Sequence, residues 1–414
     1  KTPVVMGVEE QAKDVLLNNR RIVRKRGVEY GFTCPSPYLY HWQWLWDSCF
    51  HAIALRNFDM DFAKKEIVSL MSGQWKDGRV PNMVHVRHNW RFDRIVHGTG
   101  RDTSGITQPP IIATAVSRIL EVSPDAAFLE KVYEPMRRYY DWLDRCRDTE
   151  SDGLIAMFHP WETGIDNSTR WDDIFDIKNF NRKKFNITKG LVMFRFNFVR
   201  YNNELMRKVS PYFVKGIDMN CYYFANQMEM SALAKRMGNT ADADMFEARA
   251  EKTRSAIMSK MWDPEKKVFG DLIGKDCRFS FVPTPFSFLP MWAGIVDKET
   301  AEGIHGQITD EKRFWPRFPV TTTAIDYPAF EQDGYWRGTV WINMNWFITE
   351  ALVRYGYVET AEELVERTVD LVSTGGFREY FNPFTGEGLG AKSFGWTSLV
   401  IDLINMKLEN PREN

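Results

Sequence analysis

Apolar residues recur along this chain at intervals of three and four, the period of a helix with one buried face. The pattern predicts helices over Val5–Arg26, stopped by Gly27, and over Asp47–Arg56 and Asp61–Ser72. Pro109-Pro110 opens another, as proline does in a first turn, and it runs to about Val122. Pro124–Asp148 is long and amphipathic, and Tyr212–Met237 ends at Gly238, a good C-terminal stop. Asp242–Met261, Thr284–Gly294, Lys298–Gln307, Val340–Tyr355, Val358–Thr374 and Phe394–Leu408 complete the set. Strand signals are few, Val268–Leu272 and Val80–Val86 being the clearest.

No Ser/Gly/Pro-rich tract or charge block divides the chain, so residues 1–414 are read as a single domain. About twelve helices in one domain predict an all-α fold of helical hairpins closed into a toroid, the (α/α)6 barrel. Six hairpins sharing the length leave long connections, at 28–46, 74–108, 150–190 and 308–339, and loops beyond about 15 residues usually carry function.

Composition narrows the function. The net charge of -1 gives no basic field for nucleic acid or an anionic membrane, and no apolar run approaches the roughly 20 residues that span a bilayer. Five scattered cysteines without a CxxC signal neither a zinc site nor a disulfide framework, which favours a reducing, cytoplasmic setting. With Lys1 rather than Met in first place, removal of a targeting segment stays open. The excess is aromatic: 15 Trp, 15 Tyr and 29 Phe, and these crowd into the long connections.

The most telling segment is WETGIDNSTRWDD, Trp161 to Asp173, where the carboxyl of Asp166 lies between Trp161 and Trp171 in loop-forming sequence. Sugars stack their C–H faces on aromatic rings and offer hydroxyls to carboxylates. Burial beside tryptophan also raises a carboxyl pKa, as a general acid requires. The bland alternative is an Asx-type turn at Asp166-Asn167-Ser168.

Other segments repeat the theme. In YLYHWQWLWDSCF, Trp42, Trp44 and Trp46 alternate, which points them to one face if extended, and Asp47 either grips sugar hydroxyls or only caps a helix. QWKDGRVPNMVH offers Gln74 and Asp77 to a site, or is an ordinary Asp-Gly turn. In TQPP, Gln108 precedes a helix N-terminus whose free N–H groups suit an anionic or polar group. DGYWRGTVWINMNW brings Tyr335, Trp336 and Trp341 into a loop, or Trp341 and Trp346 are helix core, the reading preferred for Trp346. GGFREYFNPFTGEGLG places Glu379 among Phe377, Tyr380 and Phe381, either as a base between aromatic walls or as a surface acid.

Taken in order, WQWLWDS, QWKDGRVP, TQPP, TGIDNSTRWD, GYWRGTVW, REYFNPFTG and FGWTS resemble glycoside hydrolase family 63, whose clan also holds trehalases. The resemblance runs from about Tyr38 to Trp396 and implies inverting hydrolysis of an α-glycoside without a cofactor. It implies Asp166 as general acid and Glu379 as general base, with Tyr40, Trp44, Asp47, Tyr335, Trp336 and Trp341 at sugar-contacting positions. The short members that hydrolyse mannosylglycerate and glucosylglycerate are the most similar in length and loops. For them, Gln108 matches a position that meets the glycerate carboxylate, and Arg200 or Arg195 is the candidate for its counter-charge. The basic stretch Arg87–Arg101 does not match the loop expected there.

Three alternatives compete. One is an α-glucosidase acting on disaccharides or oligosaccharides. Another is a sugar-binding protein without turnover, against which both carboxyls in their motifs argue. The third is a magnesium-dependent, terpene-synthase-like enzyme, suggested by DDIFD at Asp172–Asp176, whose second metal motif at Asp402, Asn405 and Glu409 lacks the usual hydroxyl residue. No HExxH, Walker or GxSxG pattern is present, so no metal ligand set is assigned. Which sugar is cleaved, and in what oligomeric state, is not written in these motifs.

Overall fold

A computed structural model describes residues 1–85 and 102–409. The helices, in chain order, are α1 (Pro3–Asn18), α2 (Leu45–Leu55), α3 (Met60–Met71), α4 (Ile112–Val122) and α5 (Ala126–Arg147). They continue with α6 (Arg182–Phe198), α7 (Asn203–Val209), α8 (Ile217–Arg236), α9 (Thr240–Lys260) and α10 (Leu289–Trp292). The last are α11 (Lys298–Ile308), α12 (Ile342–Arg354), α13 (Val358–Gly375) and α14 (Val400–Asn405). Short 3₁₀ turns, Pro285–Phe288 and Gly395–Leu399, lead into α10 and α14.

Their packing closes a ring. α2, α4, α8, α10, α12 and the 395–405 segment each pack on the next, and the last returns to α2. Outside them lie α3, α5, α9, α11, α13 and α1. This is the (α/α)6 barrel. Sequence dictates the layering: every residue of α2 from Leu45 to Leu55 is buried, as befits an inner helix, whereas α13 buries only one stripe through Ala361, Leu364, Thr368 and Leu371. One apolar cluster runs from Val8 to Leu403, and a smaller one gathers Phe158, Val192, Phe196 and Phe213 beneath α6. The sixth hairpin joins sequence extremes: α1 packs on 395–405, Ser398 Oγ donates to Ala12 O at 3.1 Å, and Asn19 Nδ2 donates to Ser393 O at 2.8 Å.

Several expected boundaries move. The helix expected through Arg26 ends at Asn18, and Arg20–Lys25 (β1) instead pairs antiparallel with Val28–Thr33 (β2). The β-branched pair Ile22-Val23 fits a strand, and Arg26 and Gly27, both at positive φ (51° and 78°), make the tight turn a hairpin needs. Gly27 is thus a hairpin residue, not a helix stop. Of Val80–Val86, Met83–Val84 (β4) pairs with Gln43–Trp44 (β3), and residue 86 lies outside the described residues, as do 87–101. The strand expected at Val268–Leu272 is split between β5 (Val268–Phe269) and β6 (Asp271–Ile273). The sequence pattern does not predict α6 and α7. Their inward apolar residues are answered by outward ones, which blurs the period that betrays a helix.

Candidate active site

Loops at one end of the barrel enclose a cavity of about 520 Å³. Trp44, Trp46, Trp161, Phe394 and Trp396 wall it, and Asp47, Asp166, Glu379, Gln108, Arg182 and Lys189 supply polar groups. Its mixture of flat aromatic surface and a few convergent polar groups is that of a small-ligand site.

The Asp166 loop is built before it reaches the cavity. Gly164 turns at φ 73°, and a Cβ there would stand 2.4 Å from the Trp46 ring, so only glycine lets the loop lie on that wall. Buried charges hold its flanks. Glu162 accepts from Arg147 at 2.6 and 2.7 Å, and Arg170 bridges Asp218 and Asp271 at 2.6–2.9 Å. Asn167 Oδ1 accepts from Trp336 N at 3.1 Å. Asp166 itself receives no side-chain hydrogen bond among the described residues. Burial raises its pKa to about 6, against the opposing charges of Lys189 and Arg182.

Glu379 sits on β7 (Arg378–Phe381) and is differently furnished. Its Oε1 accepts from the phenols of Tyr40 and Tyr335, each at 3.1 Å, and its Oε2 accepts from Ala391 N at 2.9 Å. Burial pushes its pKa up, while these three donors pull it down and Asp166 adds a further upward push. Tyr335 reaches Glu379 from a left-handed backbone, φ 57°, held by Trp341 Nε1 donating to its carbonyl at 3.1 Å. A bulky residue at positive φ is strained, and such strain concentrates where a side chain must be aimed.

Asp47 is not the helix cap. α2 starts at Leu45, and Asp47 lies in its first turn, buried and facing the cavity. Burial, with Glu379, Glu66 and Asp166 nearby, holds its carboxyl well above the usual range. Gln108 also lines the cavity, its Oε1 accepting from Trp46 N at 3.4 Å.

The cavity thus gathers Tyr40, Trp44, Trp46, Asp47, Gln108, Trp161, Asp166, Tyr335 and Glu379. It leaves out Trp336, Trp341, Arg200 and Arg195. Trp336 and Trp341 are fully buried and stack at 3.6 Å behind Tyr335 and Trp46, so they support the wall rather than form it. Arg200 is exposed just past the end of α6, at φ 52°, and does not line the cavity; Arg195 is likewise exposed, donating to Val209 O at 3.3 Å. The reason is helical phase: the cations that turn inward from α6 are Arg182 and Lys189, with Asn186 and Gly190 beside them. Neither Arg182 nor Lys189 has a carboxylate ion pair among the described residues. Arg182 lies 4.8 Å over the Tyr335 ring, and Lys189 lies 5.7 Å over that of Trp161. A signal for them existed: residues 182–200 hold six cations and no acid.

Other expected features fall to structural duty. Trp171 is core, bonded to Ile165 O at 3.0 Å. Gln74 donates to Gly78 O within its turn and to Pro135 O on α5, both at 2.8 Å. Asp172, first of the DDIFD run, is held by both amino groups of Arg337 at 2.8 and 2.9 Å, so it is a salt-bridge partner rather than a metal ligand in waiting.

An (α/α)6 barrel whose loops bury paired carboxyls between tryptophans has the make-up of a glycosidase, and comparison with known proteins agrees. A family model for the mannosylglycerate hydrolase MGH1-like glycoside hydrolase domain matches residues 40–397. A mannosylglycerate hydrolase of Rubrobacter radiotolerans is 31% identical, with 90% of this chain and 93% of that protein covered. A glucosylglycerate hydrolase of Mycolicibacterium hassiacum is 26% identical, with 91% and 94% covered. The crystal structure of a GH63 mannosylglycerate hydrolase from Thermus thermophilus, in complex with Tris and D-glycerate, superposes with a TM-score of 0.86. It is 28% identical, covering 96% of this chain and 100% of its own. The chain belongs to this MGH1-like family of GH63 glycoside hydrolases and is a glycosidase. Among the described residues, no helix is long and apolar enough to cross a membrane.

Proposed function

We propose that residues 1–414 form one catalytic domain that hydrolyses, with inversion, a small α-glucoside or α-mannoside whose aglycone carries a carboxylate. Glucosylglycerate and mannosylglycerate fit that description, and relatives bearing both activities in their names match nearly the whole chain. The observation that carries the reading is the company of the two carboxyls. Asp166 and Glu379 line one cavity together with Lys189 and Arg182, two cations without carboxylate partners among the described residues.

Asp166 is the general acid. With no side-chain donor on it and a pKa of about 6, it keeps a proton for the glycosidic oxygen as the bond to the anomeric carbon breaks. Glu379 is the general base. Three donors favour its ionised form, and it takes a proton from the water that attacks the anomeric carbon on the opposite face. Inversion calls for carboxyls roughly 6.5–9.5 Å apart, so that the water fits between base and sugar. Asp47 and the tryptophan walls hold the sugar ring, while Lys189, Arg182 and Gln108 meet the aglycone carboxylate. The five unpaired cysteines fit a cytoplasmic setting.

A proton NMR time course on α-glucosides and α-mannosides, both glycerate conjugates included, tests this. Cleavage of a glycerate conjugate with the β-anomer appearing first is expected. Cleavage of neutral disaccharides alone would keep the barrel and its carboxyls but remove the carboxylate-bearing substrate. A first-formed α-anomer would remove inversion.

A further inference from the structure

Helix α6 shows the cavity one face and the outside another, and the outer face is apolar. Ile187, Leu191, Phe194 and Phe198 are 58, 58, 64 and 85% exposed. At 100° per residue they fall within about 60° of one another, a single stripe along three turns. Together these side chains offer on the order of 500 Å² of apolar surface, the top of what a monomer usually leaves to water. Nothing in the site's chemistry needs large apolar groups facing outward.

We infer that this stripe is the contact through which two copies of the chain pair about a two-fold axis. The spacing of the four residues, four, three and four, reads the same in both directions. Antiparallel α6 helices therefore set Ile187 against the partner copy's Phe198, and Leu191 against its Phe194. Each pairing puts a smaller aliphatic side chain opposite a larger ring, so the surface is complementary to itself, as an isologous contact requires. The stripe from two copies supplies on the order of 1,000 Å² of buried surface. A stable interface buries about 1,200–2,000 Å², so side chains flanking the stripe must supply the rest. The exposed cations Lys183 and Lys184 precede the stripe on α6. Pairing would brace, from outside, the helix that presents Arg182 and Lys189 to the cavity.

Sedimentation velocity across a concentration series, on the wild-type chain and on L191R/F194R, decides the matter. Both residues are exposed and outside the cavity wall, so the variant is expected to fold and to keep kcat; circular dichroism and turnover check this. Wild type is expected at twice the 48.4 kDa chain mass, and the variant at 48.4 kDa, its dissociation constant raised about a hundredfold or more. A wild-type monomer at tens of micromolar, or a dimer that the variant leaves intact, overturns the inference. So does a monomeric wild type that pellets with phosphatidylserine vesicles while the variant does not, since the flanking cations would then be serving an anionic lipid surface.

Discussion

Arg337 ties the loop of the proposed acid to the loop of Tyr335, a donor to the proposed base, and its removal should injure chemistry more than binding. Its guanidinium donates to Asp172 at 2.8 and 2.9 Å, to Glu331 at 2.9 Å and to the carbonyl of Asn167, next to Asp166, at 3.3 Å. Two residues before it stands Tyr335, donor to Glu379. Arg337→Met keeps an unbranched stem and deletes the ties. Breaking a fully buried ion pair costs about 3–5 kcal/mol, but the Asp172 side chain is 16% exposed and can rehydrate, so about 2–3 kcal/mol of stability is expected to go. A misplacement of about 1 Å at reacting atoms costs on the order of a hundredfold in rate. The variant is therefore expected to lose tenfold to a hundredfold in kcat with KM changed by less than about threefold, since Arg337 is not in the cavity wall. Asp172→Asn leaves the bond to Asn167 and should cost less, and the double variant should show a coupling of about 1–2 kcal/mol. Steady-state kinetics on the cleaved glycoside and guanidinium denaturation supply the numbers. An Arg337→Met enzyme that is less stable yet within about twofold of wild-type kcat would refute the tie. A KM effect alone would make Arg337 a binding residue.

Asp166→Asn should abolish turnover and stabilise the fold. A carboxyl at about 6 when folded and 3.8 when not makes stability fall as pH rises between those values, and its ionisation at pH 7 costs about 3 kcal/mol. The variant's gain is thus expected above pH 6 and absent below pH 4, and melting curves showing no gain at pH 7 would contradict the burial account. In the wild type, kcat/KM should decline as pH rises through about 6, where the acid loses its proton; a profile flat to pH 8 would exclude Asp166 as the acid. Lys189→Met should raise KM for a carboxylate-bearing substrate by about ten- to a hundredfold and leave a neutral glycoside nearly untouched, an equal loss on both arguing for a merely structural lysine. With Asp172 committed to Arg337, EDTA is expected to leave the rate unchanged, and activity restored by magnesium would revive the DDIFD motif as a metal site.

The inner helices are legible in the sequence because each buries a long run, and the aromatic motifs are legible because tryptophan in loop sequence demands an explanation. Asp166, Glu379 and Tyr335 can be picked out this way and Tyr40 by the family resemblance, though not the bonds that join three of them across 339 and 44 residues. Trp336 and Trp341 mislead for a physical reason: a sugar wall and the layer behind it use the same side chains, and only packing separates them. Sequence alone favours Arg200 over Arg182 and Lys189 because α6 itself is hidden there. Without its phase there is no way to know which of six cations turn inward.

The seam between α1 and the 395–405 segment sets an order on synthesis. A ribosome-bound chain can form five hairpins while the ring still gapes, its inner surface open where the last element belongs. Glu379 emerges with that last stretch and meets Tyr40, 339 residues behind it, as the gap shuts. Closing so long a loop adds little entropy beyond a shorter one, because the cost grows only with the logarithm of length. The delay is one of supply rather than of barrier height. The proposed base is therefore completed by nearly the same event that seals the barrel, and an unfinished chain has no half-built site with which to hydrolyse anything.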